Sequence, residues 1–419
     1  MPIPLGPETI KRVILKNGIV VLVYENRASP AVVLRGHLRA GSMFDPKDKP
    51  GVAIFTADML DRGTTTRSFQ DIAAQTESVG ASVGFGAGVH LVGFSAKGLS
   101  EDLSLLLDIV SDCLQQPTFS SAEVEKVRGE LLTSIRERED STGAMAGLAF
   151  RKLAYPNHPY GRDALGTLET MKRITRADLK KFYAQTYRPT GMVMAIVGDV
   201  RATQAIALVE KFFGRWLTKG EAPAFAIPPV KLLAKLQQKR IKMKNKVQAD
   251  LILGAPALPR THPDYLAAEM ADVILGEFGM MGRLGDNVRD RLGLAYYARS
   301  SLESAPQAGA WTAYAGVNPQ NVDKVVEAML FEMNRLKSEP VSATELDDAK
   351  AYVTGTLPLR LESNDGIANT MLDMEFYQLG LDYLQRWPDL VRALTPAQVQ
   401  AAAQKYLNTE HYALVVAGP

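Results

Sequence analysis

Few side chains in this sequence stand where chemistry needs them. The five histidines, His37, His90, His158, His262 and His411, are scattered, and no two share an element at metal-ligand spacing. The single cysteine, Cys113, lies in the apolar run 103–114, which points to a buried structural thiol rather than a nucleophile. No Gly-x-Ser-x-Gly elbow, P-loop or dinucleotide fingerprint occurs. The glycine-rich stretch Ala81–Gly88 lacks the Lys-Ser/Thr that grips phosphate and reads better as a flexible sheet edge. One pair has usable chemistry: Arg289 and Tyr296, in Val288-Arg-Asp-Arg-Leu-Gly-Leu-Ala-Tyr296. A guanidinium can fork onto a carbonyl or carboxylate. A phenol can donate to a carbonyl or to a developing oxyanion. From chemistry alone, a surface arginine at a helix end and a half-buried strand tyrosine are the more economical reading.

The elements that must carry these residues follow from composition and pattern. A chain of 419 residues suggests two to four units, and 46% apolar with 22% charged residues is a globular composition. A net charge of +2 gives nucleic-acid binding no electrostatic support. The basic run Arg240–Lys246 alternates and reads as a solvated strand face rather than a wall for acidic peptides. One cysteine excludes an internal disulfide framework. No run of 18 apolar residues occurs, so no membrane span is expected. Met1–Glu8 lacks the regions of a signal peptide, so the chain as given reads as cytoplasmic; a periplasmic location is the alternative if a leader has been removed.

The sequence says most things twice. Ile174–Tyr183 followed by Met192–Gly198 matches Leu394–Ala403 followed by Tyr412–Gly418, each a capped helix leading into an apolar strand that ends on Gly. Pro117–Glu123 likewise resembles Pro340–Glu345. We therefore expect two copies of one domain, residues 1–216 and 231–419, joined by a Pro/Gly-bearing linker at 217–230. In the first copy the patterns predict a hairpin over Arg12–Glu25 around Asn17-Gly18 and a strand over Ala31–Leu38. Helices are predicted over Gly51–Asp61, Ser68–Val79, Glu101–Gln115 and Ala122–Arg138, with strands between Val83 and Ala96. Meandering strands with grouped helices indicate an α+β fold with a mostly antiparallel sheet.

The stretch Gly51-Val-Ala-Ile-Phe-Thr-Ala-Asp-Met-Leu-Asp-Arg-Gly-Thr64 resembles the zinc-binding helix of the pitrilysin/insulinase metallopeptidases, the inverzincins, in which H-x-x-E-H lies between a Gly and a Gly-Thr. Leu15–Ile19, Leu38–Ser42, Tyr155–Gly161 and the Arg289–Tyr296 segment resemble further landmarks of the family in the same order. The resemblance implies two tandem αβ-roll domains with helices packed on one face of each sheet. On this frame the first His falls on Ile54, the Glu on Ala57 and the second His on Asp58; the third ligand, a Glu of a later helix, falls on Ser134, one turn from Glu130. Ile54 has no lone pair and Ala57 cannot act as a base. The chain is thus expected to bind no metal and to hold no catalytic residue alone. The resemblance assigns Arg289 and Tyr296 to substrate contact beside the scissile bond; a one-residue shift of register would select Tyr297 instead. It also implies a peptide substrate and a zinc-bearing homologous partner, giving a heterodimer, with a homodimer as the other pairing. A non-catalytic subunit of a zinc peptidase is the leading expectation, and a scaffold or peptide-binding protein of the same fold without proteolysis is the alternative.

Overall fold

The computed structural model describes residues 5–218, 223–278 and 281–419. Gly220 of the linker, and Gly279 and Met280 of the glycine-rich loop before Arg289, lie outside the described residues. In the first half, strands β1 (Ile10–Ile14), β2 (Val20–Glu25) and β3 (Ala31–Leu38) precede helices α1 (Val52–Asp58) and α2 (Phe69–Glu77). Then come β4 (Ser82–Ala87), β5 (Val92–Leu99), α3 (Leu103–Gln115), α4 (Ser121–Glu139), α5 (Thr142–Ala154), α6 (Leu168–Arg173), α7 (Arg176–Thr186), β6 (Val193–Gly198) and α8 (Ala202–Phe213). The second half opens with β7 (Gln237–Lys242), β8 (Ala249–Pro256) and α9 (Tyr265–Asp272), followed by π-helical turns at Val273–Glu277 and Gly285–Arg291. It continues with β9 (Ala295–Leu302), β10 (Ala310–Val317), α10 (Val322–Ser338), α11 (Ala343–Arg360), α12 (Asn364–Phe376), α13 (Tyr383–Ala393), α14 (Pro396–Tyr406) and β11 (Ala413–Gly418).

The sheets repeat one topology. The first runs β1-β2-β6-β3-β5-β4 and the second β7-β11-β8-β10-β9. In each, one pair is parallel, β2 with β6 and β7 with β11, and the remaining pairs are antiparallel. The chain forms two compact units, and each takes a segment from the other half. Unit 1 is residues 1–135, 163–226 and 358–386; unit 2 is residues 136–162, 227–357 and 387–419. Thus α12 serves the first sheet and α5 the second.

Period-two burial explains why both exchanged helices are needed. On β3, Val32 and Leu34 enter the core beneath the unit's own helices, while Arg35 and His37 point to the other face. There α12 covers β3 and β6. Its buried Ile367, Ala368, Met371 and Leu372 form an i, i+4 stripe. Polar ties fix its register: Arg12 forks onto Glu375 at 3.0 and 2.7 Å, and Arg35 meets Asp365 at 2.7 Å. In unit 2, α5 lies on β8 and β11, and its buried Ala146, Ala149 and Ala154 let the backbone come close. Each sheet's own helices therefore lie on one face, and the exchanged helix seals the second.

Candidate functional site

In unit 1 the Gly and Gly-Thr that frame α1 have structural reasons to exist. Gly51 sits at φ +104°, and a Cβ there would stand 2.8 Å from the Leu165 carbonyl oxygen. The Asp45 carboxylate accepts the amides of Gly51 and Ala53, both at 2.8 Å, so it caps α1 in place of a conventional N-cap side chain. At the far end, Thr64 and Thr66 each donate to Asp112 at 2.6 Å, and Arg67 joins that carboxylate at 2.9 Å. Gly-Thr is thus the clasp of a buried ion network.

Between these anchors, the positions for ligands hold packing groups. Ala57 is fully buried and Ile54 packs on the core. Ser134 is exposed, and its hydroxyl donates back to the Glu130 carbonyl at 3.2 Å within α4. Glu130 itself is clamped by Arg62, whose two nitrogens reach its two oxygens at 3.2 and 2.8 Å. Asp58 is half-buried; burial, and then the nearby Asp61 charge, push its carboxyl up to about 6. One carboxylate inclined to hold its proton, beside another already paired to an arginine, is a poor donor set for zinc, which needs several deprotonated ligands converging. Among the described residues, no group of three or more His, Cys, Asp or Glu is placed to hold a metal. The residues present do not fit the ion.

The histidines have other partners. His37 is buried edge-on to Phe376, and burial, followed by the Arg39 charge, lowers its pKa to about 4. His158 is buried, its Nε2 2.9 Å from the Pro228 carbonyl and its Nδ1 accepting the Tyr160 amide. The Cys113 thiol is buried, and burial pushes its pKa far up, which makes it inert.

In unit 2, Arg289 and Tyr296 flank a single turn of chain. Arg289 lies in the second π-helical turn, its side chain 38% exposed and its Nη1 3.2 Å from Asp290. β9 is the sheet edge, and its pairing with β10 slips: Gly316 faces Tyr297, whereas Val317 faces Ala295. Tyr296 is the extra residue of this β-bulge, and it is 63% exposed. Tyr297 is instead held inward. Its hydroxyl donates to the buried Asp250 at 2.7 Å, its ring lies where a Cβ on Gly316 would stand 2.4 Å away, and burial, reinforced by Asp250, raises its pKa. Asp250 also accepts from Thr142, at the start of the exchanged helix α5, and from Gln248. The bulge thus separates two adjacent phenols into one committed to the fold and one presented outward.

Sequence pattern did not disclose the π-helical winding, the bulge or the Asp250 node. Their signals were small residues: a Cβ on Gly276 would meet the Ser300 amide at 2.6 Å, and Gly316 makes room for Tyr297. Such windings often accompany functional sites. Behind the turn, Arg283 forks onto Glu345 at 2.8 and 3.1 Å; burial would raise that carboxyl, but Arg283 and Ser342 outweigh it and hold it at about 2. Each unit has an edge strand, β4 in unit 1 and β9 in unit 2, paired on one side only. On β4, a Cβ at Gly86 would meet nothing within 4 Å.

Comparison with known proteins identifies the family and the fold. Residues 20–168 match the model of the insulinase family (peptidase family M16), and residues 173–353 match that of the peptidase M16 inactive domain. An uncharacterised zinc protease of Bacillus subtilis is 27% identical over 410 residues, covering 98% of each chain. The crystal structure of a peptidase M16 inactive domain from Pseudomonas fluorescens superposes with a TM-score of 0.91 at 29% identity, covering 98% of each chain. A protease from Helicobacter pylori shares the fold, with a TM-score of 0.92 at 20% identity over the whole of both chains.

Proposed function

The chain belongs to the insulinase family, peptidase family M16, and from that premise we propose that it is the non-catalytic subunit of a two-chain zinc peptidase. The observation that carries this reading is the uneven state of its two units. The zinc helix keeps its backbone frame but has Ile54, Ala57 and Asp58 for ligands and base, while Arg289 and the outward Tyr296 remain. Losing one half of a composite site while keeping the other is what division of labour between two chains produces.

In this reading zinc is held by a homologous partner and supplies, when bound, the Lewis acid and the activated water. Arg289 forks onto a carbonyl or carboxylate of the peptide and sets its register. Tyr296 donates a hydrogen bond to the carbonyl oxygen where charge develops. Its position at a bulge, with the neighbouring Tyr297 anchored on Asp250, holds the phenol on rigid support, which limits the reorganisation needed during reaction. The unpaired edge of β9 or β4 offers main-chain pairing for an extended peptide.

The test is turnover by the assembled complex carrying Arg289→Ala or Tyr296→Phe. Losing one oxyanion donor lowers kcat by roughly 10²–10³-fold, so Tyr296→Phe should act mainly on kcat. Arg289→Ala should raise KM as well. Undiminished turnover in both variants removes the proposal.

A further inference from the structure

Superposing the two sheets by register shows something present in one unit and missing from the other. Val20–Glu25 of β2 pairs with Val193–Gly198 of β6, and Gln237–Lys242 of β7 pairs with Ala413–Gly418 of β11 in the same parallel sense. Met194 and Ile196 therefore correspond to Leu414 and Val416, and Glu25 corresponds to Lys242. In unit 1 this part of the sheet is covered by α8, which packs on α3 and β2 and buries Ala205, Val209 and Phe213. Its ends are fastened: Glu25 accepts the Ala202 amide at 2.9 Å, and Gln115 donates to the Phe212 carbonyl at 3.0 Å. Met194 and Ile196 are fully buried there.

Among the described residues of unit 2, no helix takes the place of α8. What lies there is a groove of about 560 Å³, walled by Val326, Leu330 and Phe331 of α10, by Leu414 and Val416 of β11, and by Arg240 of β7. Phe331 is 58% exposed, and Leu330 and Leu414 are half-buried. The apolar wall is continuous with the core of the unit. The sheet side has changed character: Gln238 and Arg240 stand where Val21 and Val23 are buried in unit 1. Arg240 reaches Asp323 at 2.8 Å, but both side chains are largely exposed, so this pair is weak and readily exchanged. Lys242, two residues beyond Arg240 on the same face of the strand, is exposed.

We propose that this groove binds an amphipathic α-helix of a partner protein, with an apolar stripe against α10 and carboxylates along the flank that faces β7. The helical form follows from α8, which fills the corresponding space of the sister unit. The acidic flank follows from charge: Glu25, which holds the positive N-terminal end of α8, is replaced by Lys242, and Arg240, two residues before it on the same face of β7, continues the basic rim. The groove thus excludes a copy of α8 in the same polarity and charge. It prefers a helix that brings negative charge to β7. This inference is independent of Arg289 and Tyr296.

The probe is a fluorescent peptide with the sequence of residues 200–216 carrying Gln204→Glu and Lys211→Glu, titrated against the full chain by anisotropy. The expected result is saturable binding that falls about tenfold in Phe331→Asp, as for loss of an apolar anchor. It should also fall in Lys242→Glu and at raised salt. Both substitutions lie on exposed side chains, and circular dichroism checks that each variant folds. Absence of saturation at millimolar peptide, or binding indifferent to Phe331→Asp, overturns the proposal. So does sedimentation showing that the intact chain self-associates through this face, in a manner abolished by Phe331→Asp, because the occupant would then be a second copy.

Discussion

The path β2-β6-β3-β5-β4 in unit 1 and the path β7-β11-β8-β10-β9 in unit 2 are the same path, and the differences between the units are local. Behind the first sheet's edge stands a regular α-helix, α1, clasped at both ends by Asp45 and Asp112. Behind the second stand π-helical turns that carry Arg289 and feed a bulged edge strand. Unit 1 has what its backbone needs without the ligands zinc needs: Gly51, Gly63 and Thr64 carry conformation and hydrogen bonds, whereas positions 54, 57 and 58 carry only side-chain chemistry. Ile54 and Ala57 fill core space there. Unit 2 combines the two: its π-helical turns bury Val273, Leu275 and Val288 in the core, while the bulge that follows presents a tyrosine outward.

The comparison can be broken most forcefully at the clasp. Asp112→Ala removes the acceptor of Thr64 and Thr66 and one of two carboxylates serving the largely buried Arg67, at a cost of about 3–5 kcal/mol. Denaturant unfolding followed by circular dichroism should show that loss, while Ile54→Val should cost only about 0.5–1.5 kcal/mol.

A second test uses pH. Asp272 in unit 2 is buried, accepts the Trp311 indole at 2.7 Å and the Leu302 amide at 2.8 Å, and burial pushes its pKa from 3.8 to about 7. The folded state therefore holds this proton more tightly than the unfolded state, so stability is greatest at low pH and declines as pH rises from 3.8 to about 7. Asp58 in unit 1 has the same sign over the narrower window from 3.8 to about 6. Melting curves across this range should flatten more in Asp272→Asn than in Asp58→Asn; equal flattening would contradict the different burial of the two acids.

Smaller effects separate the two phenols. Tyr297→Phe leaves buried Asp250 short of a donor and should cost about 1–3 kcal/mol. Tyr296→Phe, at an exposed position, should stay within about 0.5 kcal/mol. The reverse order would place Tyr297, not Tyr296, on the outward face. Smallest of all is Gly86→Ala on β4: with open space around its Cβ it should stabilise by about 0.4–1 kcal/mol, read as a rise in Tm.

Much of the fold was legible because its signals are local and periodic. The Ala31–Leu38 strand, the helix that opens at Ser68 and the turn at Gly18 (φ +87°) all stand where the patterns put them. The internal repeat was legible because each copy ends on the same capped helix and apolar strand. The exchange of α5 and α12 was not, because an amphipathic stripe says that a helix must cover something without saying which sheet. That Ile54 and Ala57 cannot ligate a metal could be read directly, since neither side chain carries a lone pair. Which tyrosine points outward could not, because a bulge is set by pairing with β10, more than a dozen residues away.

The central claim is that this chain cleaves nothing alone and contributes to cleavage within a complex. The most direct measurement is hydrolysis of a mixed fluorogenic peptide library by the chain purified gently from its native cells, beside the same chain produced alone. The account predicts chelator-sensitive cleavage only in the native preparation, together with a co-purifying zinc-bearing homologue. Cleavage by the chain alone, persisting after contaminants are excluded, would contradict the reading of Ile54, Ala57 and Asp58; no cleavage in either preparation, with zinc supplied, would contradict its role in a peptidase.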